Sequence, residues 1–171
     1  MPDMSPFPPD IQDLARRVLE AARGRGLMIA TAESCTGGLV SGALTAVPGS
    51  SDVVAGGVVS YSNAVKQALL GVTPGLLQSH GAVSEPVARA MAEGVVAALD
   101  AGIGVSITGV AGPGGGGPGK PVGLVHFATA LRGAEVLAHL ERFGDIGRDQ
   151  VRMASVRVAL TLLLQRLDDG R

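Results

Sequence analysis

The chain predicts an α/β fold, a three-layer α/β/α sandwich built on a mixed sheet. Three observations lead there. Short apolar runs bounded by glycine and proline alternate with longer stretches in which apolar residues recur at helical spacing. Two strand-like segments near the C-terminal end stand close enough to form an antiparallel hairpin, which adds antiparallel pairing to an otherwise alternating pattern. With 171 residues and 46% hydrophobic content, the chain is long enough to cover both faces of such a sheet.

Taken in order, residues 1–9 read as a flexible proline-rich lead-in, and 10–171 as a single domain with no internal repeat. Asp10 is placed to cap a helix over 10–24, with Ile11, Leu14, Ala15, Val18 and Leu19 on one face. Residues 27–32 form a buried apolar strand. A helix over 36–46 comes next and is stopped by Pro48-Gly49. Residues 53–61 give a second strand whose glycines imply close backbone approach. Asn63 is a plausible cap for a short helix ending at Gly71. Ser84 and Pro86 open a longer helix to about residue 101. The third strand, 104–108, leads into a glycine-rich segment. Residues 122–131 and 135–143 make the hairpin, turning at Arg132-Gly133, and a last helix covers 148–167.

Composition narrows the function classes. A net charge of −1 offers no electrostatic footprint for nucleic acid. No Trp, one Tyr and three Phe leave no stacking platform for single-stranded bases. A lone cysteine makes no internal disulfide and suits a reducing cytoplasm. The first residues lack the basic and apolar regions of a signal peptide, and no uninterrupted apolar run reaches membrane-spanning length. A cytoplasmic protein without membrane or nucleic-acid partners is expected.

Candidate chemistry begins at Thr31-Ala-Glu-Ser-Cys-Thr-Gly-Gly38, where a strand gives way to a helix and exposes a nucleophile in front of free backbone N–H groups. Such amides can stabilise the charge that develops when an acyl carbon is attacked. Structural glycines alone would also explain the motif. Ser34 needs a base, but His80, His126 and His139 sit in unrelated contexts. They show no metal-ligand spacing with Cys35, so no metal is expected. The chain carries twelve arginines and only two lysines, Lys66 and Lys120. Lysine, unlike arginine, can lose its proton in the right surroundings. Lys66 falls in the first turn of its helix, where the positive end of the macrodipole disfavours the ammonium. A partly neutral lysine is the base of Ser–Lys hydrolases, and Tyr61 is near enough in sequence to hydrogen-bond it. A solvated lysine and a partly buried tyrosine remain the plain alternative.

The segment around Gly109–Lys120 nearly matches a P-loop, but Pro121 stands where a magnesium-binding hydroxyl is needed and a strand succeeds it instead of a helix. It reads either as a backbone cradle for an anion or as a surface loop. Arg148 and Arg152, at i and i+4, share one helix face and form either a phosphate-binding fork or ordinary surface charge.

Together these segments resemble the CinA C-terminal domain family. The resemblance is carried by Thr31–Gly38, Pro48-Gly-Ser-Ser51, Tyr61-Ser-Asn63 with Lys66, Leu70-Gly-Val72, His80-Gly-Ala-Val-Ser84, Thr108-Gly-Val-Ala-Gly-Pro-Gly-Gly115, Lys120-Pro-Val-Gly123 and Arg148-Asp-Gln-Val-Arg152. The resemblance implies a nicotinamide-nucleotide amidase that hydrolyses the carboxamide of nicotinamide mononucleotide to nicotinate mononucleotide and ammonia. It implies Ser34 as nucleophile, Lys66 as general base and Tyr61 as an assisting hydrogen-bond partner. Amides near Thr36, Gly37 and Gly38 then form the oxyanion hole. Thr108, Gly109, Ala111, Gly112, Gly115 and Arg148 line the nucleotide pocket, with the arginine near the phosphate. No cofactor is implied, and a homo-oligomer is. Two further readings stand beside this one: Cys35 as the nucleophile, and a non-catalytic nucleotide- or partner-binding module of the same family.

Overall fold

The computed structural model describes residues 5–169. Among them, six helices and one short 3-10 turn surround a five-stranded sheet of order β2-β1-β3-β4-β5. β1 (Ile29–Glu33) lies parallel to β2 (Val54–Val59) and to β3 (Ile103–Gly109). β4 (Leu124–Leu131) and β5 (Leu137–Arg142) form the expected antiparallel hairpin, β4 pairing with β3. The mixed three-layer architecture is therefore as the sequence predicts.

Alternation along the strands sorts side chains between the two helical layers. Ile29, Ile103, Val105, Ile107, Val125 and Phe127 pack with α1 (Pro9–Gly24), α2 (Leu39–Thr45) and α6 (Arg148–Asp168). The opposite face carries small residues. Ala30 and Ala32 pack with α3 (Asn63–Leu70), α4 (Pro74–His80) and α5 (Glu85–Ala98), while Ala128 and Ala130 pack with α5. Small residues let α5 approach closely. A Cβ on Gly104 would stand 2.8 Å from Val96, and Ser106 Oγ donates to Ala88 O at 2.6 Å.

Several boundaries differ from expectation for identifiable reasons. Helix α1 begins at Pro9, its first position, and Asp10 does not cap it. Its carboxylate instead accepts from Arg157 Nε at 2.5 Å, and this bond holds it below the usual carboxylate range. Of the expected flexible lead-in, residues 1–4 lie outside the described residues, whereas Phe7 is buried against Gly42. Helix α2 starts three residues late because 34–38 form a turn in which Gly37 (φ 59°) and Gly38 (φ 98°) adopt left-handed backbone. The cap of α3 is Ser62, not Asn63; Ser62 Oγ accepts from Val65 N–H at 3.2 Å. Ser84 precedes α5 but its hydroxyl donates to Gly81 O, and α5 ends at Ala98. Helix α4 was not expected at all. Its signal was Thr73 capping Leu76 N–H with Pro74 in the first position, in a helix too short to show a period.

The sheet also fixes where a crevice opens. Parallel β1 and β3 are neighbours, and their carboxyl ends emerge at the same edge, the usual place for a ligand in α/β sheets.

Candidate active site

Ser34 directly follows β1. Its N–H continues the ladder onto Ile107 O at 2.9 Å, and its carbonyl accepts from Gly37 N–H at 3.0 Å. The residue before it, Glu33, is fully buried and was not singled out from sequence. Its two carboxylate oxygens accept from Val40 N–H and Ser41 N–H, each at 2.9 Å, and Thr31 Oγ1 donates to it at 3.3 Å. A carboxylate thus caps α2 from within the sheet, where the helix end is positive. Those amides are consequently occupied and do not face a ligand.

Lys66 reaches in from α3 and is 1% exposed. Its Nζ lies 3.1 Å from Ser34 Oγ, 2.5 Å from Ser60 O and 3.4 Å from Tyr61 O. None of these partners is a carboxylate. Burial pushes its pKa below the ordinary 10.5, with Cys35 the smaller and opposing influence. Desolvation, not the helix end, is the leading cause. A neutral amine in this position spends its two hydrogens on the carbonyls of Ser60 and Tyr61 and turns its lone pair to the Ser34 hydroxyl.

Tyr61 departs from expectation in detail. Its backbone carbonyl touches Lys66, but its side chain is 62% exposed and the phenol accepts from Arg148 Nη2 at 3.2 Å. Arg148 also donates through Nη1 to Gly112 O at 2.8 Å. Both arginine contacts leave the guanidinium at the rim of a cleft of about 280 Å³.

That cleft brings together Ser34, Tyr61, Lys66, Thr108, Gly109, Ala111, Gly112, Gly115 and Arg148 from the expected set. It also includes Cys35, Val110 and Gly114, and the Ala82–Val83 segment after α4. Thr108 Oγ1 donates to Ala82 O at 2.8 Å, so this hydroxyl holds the wall together. The N–H groups of Ala111, Gly112, Gly114 and Gly115 find no backbone acceptor among the described residues, which fits an anion cradle.

Thr36, Gly37 and Gly38 do not line the cleft. The Gly37 amide is already committed to Ser34 O. Arg152 is likewise directed elsewhere, donating to the carbonyls of Cys35 and Thr36. None of the three histidines borders the cleft; His139 Nε2 bonds Glu141 at 2.7 Å on the edge strand, and His126 is half-buried on β4. Burial pushes the Cys35 thiol up to about 11, which leaves it a poor nucleophile at neutral pH.

Residues 11–167 match the family model described as CinA C-terminal domain. The chain belongs to the CinA C-terminal domain family. A CinA-like protein of Synechococcus sp. (strain RCC307) is 55% identical over 163 residues, covering 94% of this chain and 39% of the relative. One from Mycolicibacterium vanbaalenii is 51% identical over 90% of this chain and 36% of its own length. This chain therefore spans less than two fifths of these CinA-like relatives. Among solved structures, competence/damage inducible protein CihA from Agrobacterium tumefaciens superposes with a TM-score of 0.93 at 52% identity, covering 96% of this chain and 99% of that one. A CinA superfamily protein from Klebsiella pneumoniae gives 0.88 at 36% identity, covering 93% and 98%.

Proposed function

We propose that this CinA-family chain is an amidohydrolase, a nicotinamide-nucleotide amidase acting on nicotinamide mononucleotide. The observation that carries the reading is Lys66 Nζ, fully buried, without a carboxylate partner, 3.1 Å from Ser34 Oγ at the floor of a cleft. Neither a solvated lysine nor a simple binding module has use for that arrangement. Ser34 Oγ attacks the carboxamide carbon while Lys66 takes its proton. The tetrahedral intermediate collapses with cleavage of the C–N bond, and Lys66 returns the proton to the departing ammonia. Water then attacks the Ser34 ester with Lys66 again as base, releasing nicotinate mononucleotide and restoring the serine.

The cleft lining suits the rest of such a substrate. Its glycine-rich wall offers unpaired amides and Arg148 offers a guanidinium, both fitted to a phosphate. The N–H of Cys35, the one residue after Ser34 in the turn that borders the cleft, takes the oxyanion role in place of Gly37. Tyr61 acts through Arg148 at the rim and not through its phenol on Lys66. The assembly is proposed to be a homo-oligomer.

The test is ammonia release from nicotinamide mononucleotide by wild type, Lys66→Ala and Ser34→Ala. Release by the wild type and loss in both folded variants supports the amidase. An active Ser34→Ala variant transfers the chemistry to Cys35, and no release by folded wild type withdraws the substrate.

A further inference from the structure

Arg152 lies one helical turn beyond Arg148 on α6, yet it turns away from the cleft. Its guanidinium sits behind the Ser34 turn, with Nε donating to Cys35 O at 3.2 Å and Nη2 to Thr36 O at 3.3 Å. A Cβ at Gly37 would stand 3.2 Å from Nη2, so the fork spans three consecutive residues after Ser34. Among the described residues no carboxylate pairs with Arg152. Its whole charge is directed at backbone carbonyls, and such charge-assisted bonds are the stronger kind.

The geometry of the peptide unit transmits that grip. In a trans peptide the C=O and the following N–H point in opposite directions. Holding Cys35 O therefore sets the direction of the Thr36 N–H, and holding Thr36 O sets that of the Gly37 N–H. The Gly37 N–H is the group that donates to Ser34 O. Ser34 is thus fixed from one side by its own N–H on Ile107 and from the other through a peptide that Arg152 orients.

We propose that Arg152 is a positioning residue for the nucleophile, clamping the Cys35–Gly37 backbone from behind so that Ser34 Oγ stays aligned on Lys66. It touches no substrate. This inference rests on Ser34 being the reactive serine, so its test uses a readout independent of the natural substrate.

That readout is the rate at which diisopropyl fluorophosphate labels Ser34, followed by the mass of the intact chain. Ser34 Oγ bonds to phosphorus, fluoride leaves, and the serine proton passes to Lys66. Wild type is expected to label and Ser34→Ala is not. Arg152→Gln is expected to label about 10- to 100-fold more slowly, the cost of a nucleophile displaced by a fraction of an ångström to one ångström. Arg157→Gln, a change on the same helix at the surface pair with Asp10, is expected to label at the wild-type rate. Added guanidinium at millimolar concentration is expected to restore part of the rate to Arg152→Ala, a rescue that loss of packing alone would not permit. Labelling of Arg152→Gln at the wild-type rate overturns the proposal while leaving Ser34 in place. If that variant does not unfold cooperatively, Arg152→Lys decides, since one ammonium cannot replace a two-pronged fork; wild-type labelling there overturns it equally. Failure of the wild type to label withdraws Ser34 itself.

Discussion

Gly94 lies in the middle of α5, where helix propensity alone favours alanine by about 1 kcal/mol. The structure reverses that sign. An ideal Cβ on Gly94 would sit 2.0 Å from Leu70 O and 2.8 Å from Leu70 C. Both are backbone atoms at the end of α3, so no side chain can rotate aside. Ordinary contact at 3.4 Å requires the two helices to separate by about 1.4 Å. Overpacking against rigid backbone costs roughly 3 kcal/mol, and the propensity gain offsets about 1 kcal/mol of it. The expected net loss from Gly94→Ala is about 2 kcal/mol, which lowers a urea midpoint by roughly 1 M. Helix α3 also carries Lys66, so the same shift disturbs the contact with Ser34. Ammonia release should therefore fall by more than about 10-fold at temperatures where the variant is fully folded. A midpoint equal to or above that of the wild type would refute the packing argument. Full activity in a destabilised variant would instead break the link between helix spacing and the Lys66–Ser34 contact.

Other expectations arise from the same geometry. Because burial lowers the pKa of Lys66 below 10.5, the unfolded chain holds an extra proton between the folded value and 10.5. Wild-type stability should then rise with pH across that interval, by at most about 1.4 kcal/mol per pH unit, and level off above it. Lys66→Met should lack this slope in urea denaturation and lose turnover; parallel pH curves for the two proteins would contradict the buried amine. Cys35, with its thiol near 11, should react with iodoacetamide at pH 8 far more slowly in the native protein than in the urea-unfolded chain. Equal rates would reinstate it as a candidate nucleophile. Thr108→Val leaves Ala82 O without its buried donor and should cost about 1–2 kcal/mol. A raised KM should accompany that loss, since Ala82 and Val83 form one wall of the cleft, and unchanged KM would detach Thr108 from the wall.

The layers of the fold were legible because they derive from local patterns. The period-3.6 face of α1 and the apolar runs in β1 and β3 name their own burial. Turn chemistry was read less well. Asn63 and Ser62 are both good caps, and only the geometry of the incoming chain chooses between them. In the cleft, residue types at Ser34, Lys66 and Arg148 suggested chemistry, but their surroundings did not show. That Lys66 is buried depends on α3 packing against α5, a contact with no local signature. Glu33 looked like part of a motif, whereas its role lies in amides seven and eight residues ahead. Spacing placed Arg148 and Arg152 on one face, yet a single turn of helix sends one to the cleft and the other behind the Ser34 turn.

The floor and the walls of the cleft are made differently. Ser34 N–H is tied to β3 through Ile107, and Ser60, whose carbonyl holds Lys66, is tied to β1 through its N–H on Glu33 O at 2.8 Å. Ser34 thus extends β1 and the carbonyl that anchors Lys66 extends the adjacent β2, while the lysine itself reaches in from α3. The walls, 82–83 and 110–115, are loop segments cross-linked by a few hydrogen bonds. On the proposed amidase reading, substrate preference would then drift by exchange of wall residues while Ser34 and Lys66 stay put. An engineer seeking a different amide would vary the walls and leave the strand ends untouched.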